Sequence, residues 1–130
     1  MGSSRQHCPV LLYHSQNVAG NEYASNDHVA LADDLRLINS LGLKIIPLAW
    51  LVDWLLGERD MDIAHCVCLS FDDGVDADVR DLDFPGFGMQ RGFLNIMRDF
   101  RNELGPGVQA NLHGTSFVIA SPEALSLIHI

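Results

Sequence analysis

The sequence predicts an α/β fold built on a parallel sheet, and three observations carry the prediction. Short apolar, β-forming runs alternate with stretches of helical periodicity, in the order strand, helix, strand, helix, strand, helix, strand, helix start. The run Cys66-Val67-Cys68-Leu69-Ser70-Phe71 reads as a strand buried on both faces. It stops at Asp72-Asp73-Gly74, so two carboxylates and a turn residue stand at its C-terminal end, where α/β folds gather ligands and catalytic groups.

Each element follows from its own pattern. Pro9-Val10-Leu11-Leu12-Tyr13 is a first short strand, ended by the polar run His14-Ser15-Gln16-Asn17. Residues 15–26, rich in Ser, Asn and Gly, read as a loop whose Ser25 or Asn26 caps the next helix. Leu31, Leu35, Ile38 and Leu41 recur at helical spacing, with Asp33, Asp34 and Arg36 off that stripe and Gly42 as the stop. Leu43 to Ile46 is a second strand, ended by Pro47. Ala49 to Leu56 is a short helix closed by Gly57, in which Trp50 and Trp54 anchor to the core. After the central strand, Val75 to Asp83 is expected to be a solvated acidic loop, since it lacks the ligand order of a calcium loop. Phe84 to Gly88 is expected to be a turn-rich linker. Met89, Phe93, Ile96, Met97, Phe100 and Leu104 then form the apolar stripe of a core-facing helix that Gly105-Pro106-Gly107 ends. Thr115 to Ala120 is the next buried strand, and Ser121-Pro122-Glu123 opens a further helix.

The whole chain sets wider bounds. At 130 residues it suits one domain. Its 8 Lys and Arg against 17 Asp and Glu give a net charge of −9, which disfavours nucleic acid and anionic membrane as partners. Leu41 to Leu56, the most apolar tract, is too short and too charged to cross a bilayer. Residues 1–8 form an N-terminal tail without the apolar core of a secretory signal, so a cytoplasmic location is expected. Cys66 and Cys68 share one face of their strand as buried thiols. The last six residues, Leu125 to Ile130, coincide with the translation of a transposon-end sequencing adapter and are excluded from fold reasoning. On that reading the native sequence stops near Ala124 and the gene continues elsewhere.

Adjacent carboxylates repel unless a cation or proton compensates, so Asp72-Asp73-Gly74 points to metal-assisted hydrolysis. One acid can hold a divalent ion, which lowers the pKa of a bound water towards about 7, while the other takes the proton as that water attacks a carbonyl. Gly74 lets the backbone turn away.

Ser70-Phe71-Asp72-Asp73-Gly74 resembles the first motif of the polysaccharide deacetylase family, the NodB-homology domain of carbohydrate esterase family 4. Pro9 to His14 is similar to that family's opening strand, and Gly114 to Ile119 to the strand that precedes its metal-binding histidines. The resemblance covers residues 9–124 and implies the N-terminal part of a distorted (β/α) barrel, truncated in its C-terminal half. It implies an enzyme that removes acetyl groups from N- or O-acetylated carbohydrates, or acts on related amides, with a divalent metal, often zinc. By the same resemblance Asp72 is the catalytic base and Asp73 a metal ligand, and His14 is expected to line the substrate pocket. Residues 76–107 read as an insertion after the motif strand.

The chain also departs from the family pattern. The His-Ser/Thr pair and later histidine belong after the strand at 114–119. His113-Gly114-Thr115 precedes that strand, has no second histidine at helical spacing, and is rejected as a substitute. His129 falls in the adapter run. With one protein ligand, the chain alone is expected to be inactive and to bind zinc weakly. The competing reading is a non-catalytic carbohydrate-binding or interaction domain that uses Trp50 and Trp54. A phosphotransfer site is not supported, because the Asp-x-Asp order after a strand is not met.

Overall fold

The computed structural model describes residues 6–119, and these form a parallel sheet with helices on both of its faces. The elements are β1 (Val10–Tyr13), α1 (Asp27–Ser40), β2 (Lys44–Ile45), α2 (Leu48–Leu55), β3 (Cys66–Asp73), β4 (Leu82–Phe84), β5 (Gly88–Gln90), α3 (Phe93–Leu104) and β6 (Gly114–Val118). The helix start expected at Ser121 and the adapter translation expected at 125–130 lie outside the described residues.

β3 is the axis of the sheet. β1 pairs with it from Val10↔Cys68 to Tyr13↔Phe71, and β6 from Leu69↔Gly114 to Asp73↔Val118, both in parallel. Those registers overlap, so β1 and β6 take opposite edges of β3. β2 pairs with the N-terminal end of β3 on the edge away from β1. On the outer side of β2 the Ile45 N–H donates to Gln109 Oε1 at 3.0 Å, so a buried side-chain amide closes an edge that no strand among the described residues reaches.

Side chains alternate between the two faces. Val67, Leu69 and Phe71 of β3 and Tyr13 of β1 pack against Leu31, Leu35 and Ile38 of α1 and Phe93, Ile96, Met97 and Phe100 of α3. Each fully buried Leu or Phe there contributes roughly 1.5–3 kcal/mol. Cys66 and Cys68 face the other way, into a smaller cluster with Ile46, Leu51 and Ile63 under α2. Trp50 and Trp54 pack against that cluster, with Arg59 4.4 Å over the Trp50 ring, so both tryptophans hold α2 to the sheet as expected.

Local chemistry sets the helix ends. The Asn26 side chain accepts the His28 N–H at 2.8 Å and the Val29 N–H at 3.4 Å, which makes Asn26 the cap of α1. Gly42, Gly57 and Gly105 follow α1, α2 and α3 with positive φ. At α3 the cap is borrowed, because Asp81 accepts the N–H of Gly92 at 2.8 Å from eleven residues upstream in the chain.

Three expectations are corrected. Val75–Asp83 is not a solvated loop: Asp78 is 3 % exposed, Asp76 pairs with Arg80, and Asp81 is held by Gly92, Asn95 and Arg91. Residues 84–88 are not a linker but the closed end of a β4–β5 hairpin, in which Phe84 pairs with Gly88 around the turn at 85–87, so Met89 stands exposed on β5 and the helix starts at Phe93. Two-residue periodicity had overlapped helical periodicity there, and Met89 satisfied both. β6 is not buried, for Phe117 and Val118 are exposed on it.

Candidate functional site

The C-terminal ends of β1, β3 and β6 meet at one end of the sheet. Register places Val10, Leu12, Cys68, Ser70, Asp72, Thr115 and Phe117 on the face opposite α1 and α3. α2 covers only the Cys66–Cys68 end of that face. Around Asp72, Val10, Leu12 and Phe117 are exposed, so the acid stands at the rim of an open apolar floor.

His14, the first residue after β1, brings its Nε2 to 3.6 Å from Asp72 Oδ2. Both side chains are more than a third exposed, so water reaches the pair. Backbone bonds fix the His14 position: its N–H donates to Asp27 Oδ2 at 2.7 Å, and its carbonyl accepts from Asn17 at 3.0 Å. The structure thus joins two of the residues that the sequence singled out.

Asp73 ends β3 with φ +81°, and Gly74 continues at +66°. Two successive left-handed residues swing the chain away from the sheet, so the two carboxylates diverge rather than stack. The glycine is also sterically required, since a Cβ on Gly74 would lie 2.8 Å from Val118 Cγ2 and 3.1 Å from its Cα. Strain held in a non-glycine residue at the end of a central strand is common where a side chain must be aimed.

No family model, curated protein or solved structure matches this chain.

Behind the rim lies a buried polar group that the sequence did not reveal. The Ser15 hydroxyl, fully buried, donates to Asp78 Oδ1, and the other oxygen of Asp78 is buried without a partner. Burial pushes the Asp78 carboxyl up, and the nearby charge of Asp73 pushes it the same way, against the opposing pull of Ser15, His28 and His14. His28, 3 % exposed, sets Nε2 2.8 Å from the Ser15 carbonyl and Nδ1 2.5 Å from the Arg91 carbonyl. Ser15 therefore connects β1, α1 and the segment after β3 directly behind His14. In sequence Asp78 was one of four similar acids, and only the inward turn of residues 76–78, with Ala77 also buried, sets it apart.

A divalent metal finds no complete site among the described residues, where no group of three or more His, Cys, Asp or Glu side chains is placed to hold one. Asp73 could contribute one oxygen, which is too few for a tight site. His113 precedes β6 and lines a separate cleft with Phe71, Met97, Leu112 and Ser116. Among the described residues no helix is long and apolar enough to cross a membrane.

Proposed function

We propose that this chain carries the base-bearing part of a hydrolase of the polysaccharide deacetylase type, acting on acetylated carbohydrates or related amides. The observation that supports it best is the position of Asp72: at the C-terminal end of the central parallel strand, water-accessible, beside His14, and on the face turned away from α1 and α3. In a (β/α) barrel the helices lie outside and the reacting groups gather at the C-terminal ends of the strands. The apolar face around Asp72 is open at the Asp72 end, where the remaining strands of such a barrel would close, while α2 covers its Cys66–Cys68 end.

In this reading Asp72 accepts the proton of the attacking water, and His14 borders the pocket. Asp73 is a ligand to a divalent ion, often zinc in that family. The remaining ligands are expected after β6, beyond Ala124. Because the described residues do not complete a metal site, the 130-residue chain is proposed to bind zinc only weakly and to release no acetate.

Two measurements test this. Sequencing the source locus past the codon for Ala124 should reveal a His-x-x-x-His pair within about 15 residues, and the full gene product should then release acetate from N-acetylated chito-oligosaccharide. Asp72→Asn in that product should lower the rate by roughly 10²–10⁴, the range for loss of a general base. An unchanged rate in the variant would remove Asp72 from the chemistry. Zinc titration of the 130-residue chain by calorimetry separates the second point: submicromolar affinity would mean that the site is already complete.

A further inference from the structure

The chain holds three free cysteines, and two of them are in contact. Cys8 Sγ lies 3.8 Å from Cys68 Sγ, although the residues are 60 apart in sequence. The contact follows from the sheet: the Cys68 N–H donates to the Pro9 carbonyl at 2.9 Å, which pins the chain next to Cys8 onto β3 as β1 begins. Cys68 is fully buried and Cys66 nearly so, whereas Cys8 is half-exposed. A soluble reagent therefore reaches this cluster through Cys8.

We infer that Cys8 and Cys68 form a reversible disulfide, a redox modification site that staples the segment before β1 to the central strand. The two sulfurs already touch at 3.8 Å, and bonding draws them to about 2.05 Å. Cys66 stays out of the reaction. Its thiol is directed to the Asp62 carbonyl at 3.7 Å, whereas the Cys8 sulfur touches Cys68.

The oxidant is a small-molecule disulfide. The Cys8 thiolate attacks one of its sulfurs, the small S–S bond breaks, and one small thiol leaves as the mixed disulfide forms on Cys8. The Cys68 thiol then attacks the Cys8 sulfur, the mixed bond breaks, and the second small thiol leaves carrying the Cys68 proton. Two protein thiols are oxidised and one small disulfide is reduced to two thiols. Burial pushes both thiols up, Cys68 to about 12, so exchange is slow at neutral pH and quickens as pH rises.

This inference does not depend on the hydrolase reading. The experiment incubates the native chain with glutathione disulfide at pH 8, quenches with acid, and alkylates the free thiols with iodoacetamide in denaturant. Peptide mapping by mass spectrometry then locates every label. The expected product is monomeric, carries one alkylated cysteine at Cys66 and a Cys8–Cys68 cross-linked peptide, and regains all three thiols with dithiothreitol. Cys8→Ser, at a half-exposed position outside any strand, should keep its far-ultraviolet circular dichroism and form no intramolecular disulfide. Three alkylated cysteines, glutathione retained on Cys8, or a cross-link involving Cys66 would each overturn the inference.

Discussion

His14 Nε2 lies 3.6 Å from Asp72 Oδ2, each residue standing one position past the level pair Tyr13↔Phe71 of the neighbouring parallel strands β1 and β3. Both side chains are more than a third exposed. An ion pair of that exposure is worth about 0–1 kcal/mol to stability. His14→Ala and Asp72→Asn should therefore each shift the free energy of urea unfolding by less than about 1 kcal/mol. A larger loss in either variant would make the pair part of the framework and weaken its assignment to chemistry.

Gly74 couples backbone strain to packing. Its φ of +66° disfavours any L-residue, and a Cβ would also press on the Val118 backbone at 3.1 Å. Gly57 has a similar φ of +75° but open space around the missing Cβ. Gly57→Ala should thus cost only the conformational term, roughly 1–2 kcal/mol. Gly74→Ala should cost more than that, because β6 has to move as well. Equal losses in denaturant unfolding would show that β6 yields freely at this point.

The central strand was legible because its apolar run is long and its end is marked by charge. α1, β2 and α2 were legible because caps and glycines bracket a clean period. The β4–β5 hairpin was not, since each strand has only three residues and Met89 fits a helical stripe as well as a strand. Asp72, Asp73 and His14 could be picked out by their place at strand ends, a rule that works residue by residue. The Ser15–Asp78 bond could not, because it joins residues 63 apart and each looks like an ordinary loop residue. The contact of Cys8 with Cys68 escaped for the same reason: it depends on the parallel register of β1 against β3, which no local pattern encodes.

Asp81 links pH to the start of α3. The Gly92 N–H, the Asn95 amide and the Arg91 guanidinium all donate to its carboxylate and hold its pKa down at about 2. A carboxyl whose folded pKa is depressed stabilises above its unfolded pKa, and that stabilisation is lost as pH falls through the folded one. Asp81→Ala should therefore melt below the wild type at pH 7, and the difference should shrink between the ordinary carboxylate range near pH 4 and about 2. A gap in melting temperature that stays constant over this interval would remove the carboxylate charge from the explanation.

Asp78 works in the opposite sense. Burial raises its folded pKa above the unfolded value of 3.8, so the folded chain holds that proton longer than the unfolded chain does. Stability from this residue is then greatest below pH 3.8 and falls as pH rises through the raised folded value. Asp78→Asn removes the buried charge but keeps an oxygen for the Ser15 hydroxyl, so its stability relative to wild type should improve as pH climbs from 3.8 towards neutrality. Ser15→Ala should do the reverse: it takes away the hydrogen bond on Oδ1 while Oδ2 is already unpartnered, at a cost of roughly 1–3 kcal/mol for a buried acceptor left unpaired, more when it is charged. Denaturant unfolding of the three proteins across this pH range gives both signs at once. If Asp78→Asn lost stability relative to wild type as pH rose, the Asp78 carboxylate would be a favourable charge, balanced by His28 and His14 rather than penalised by burial.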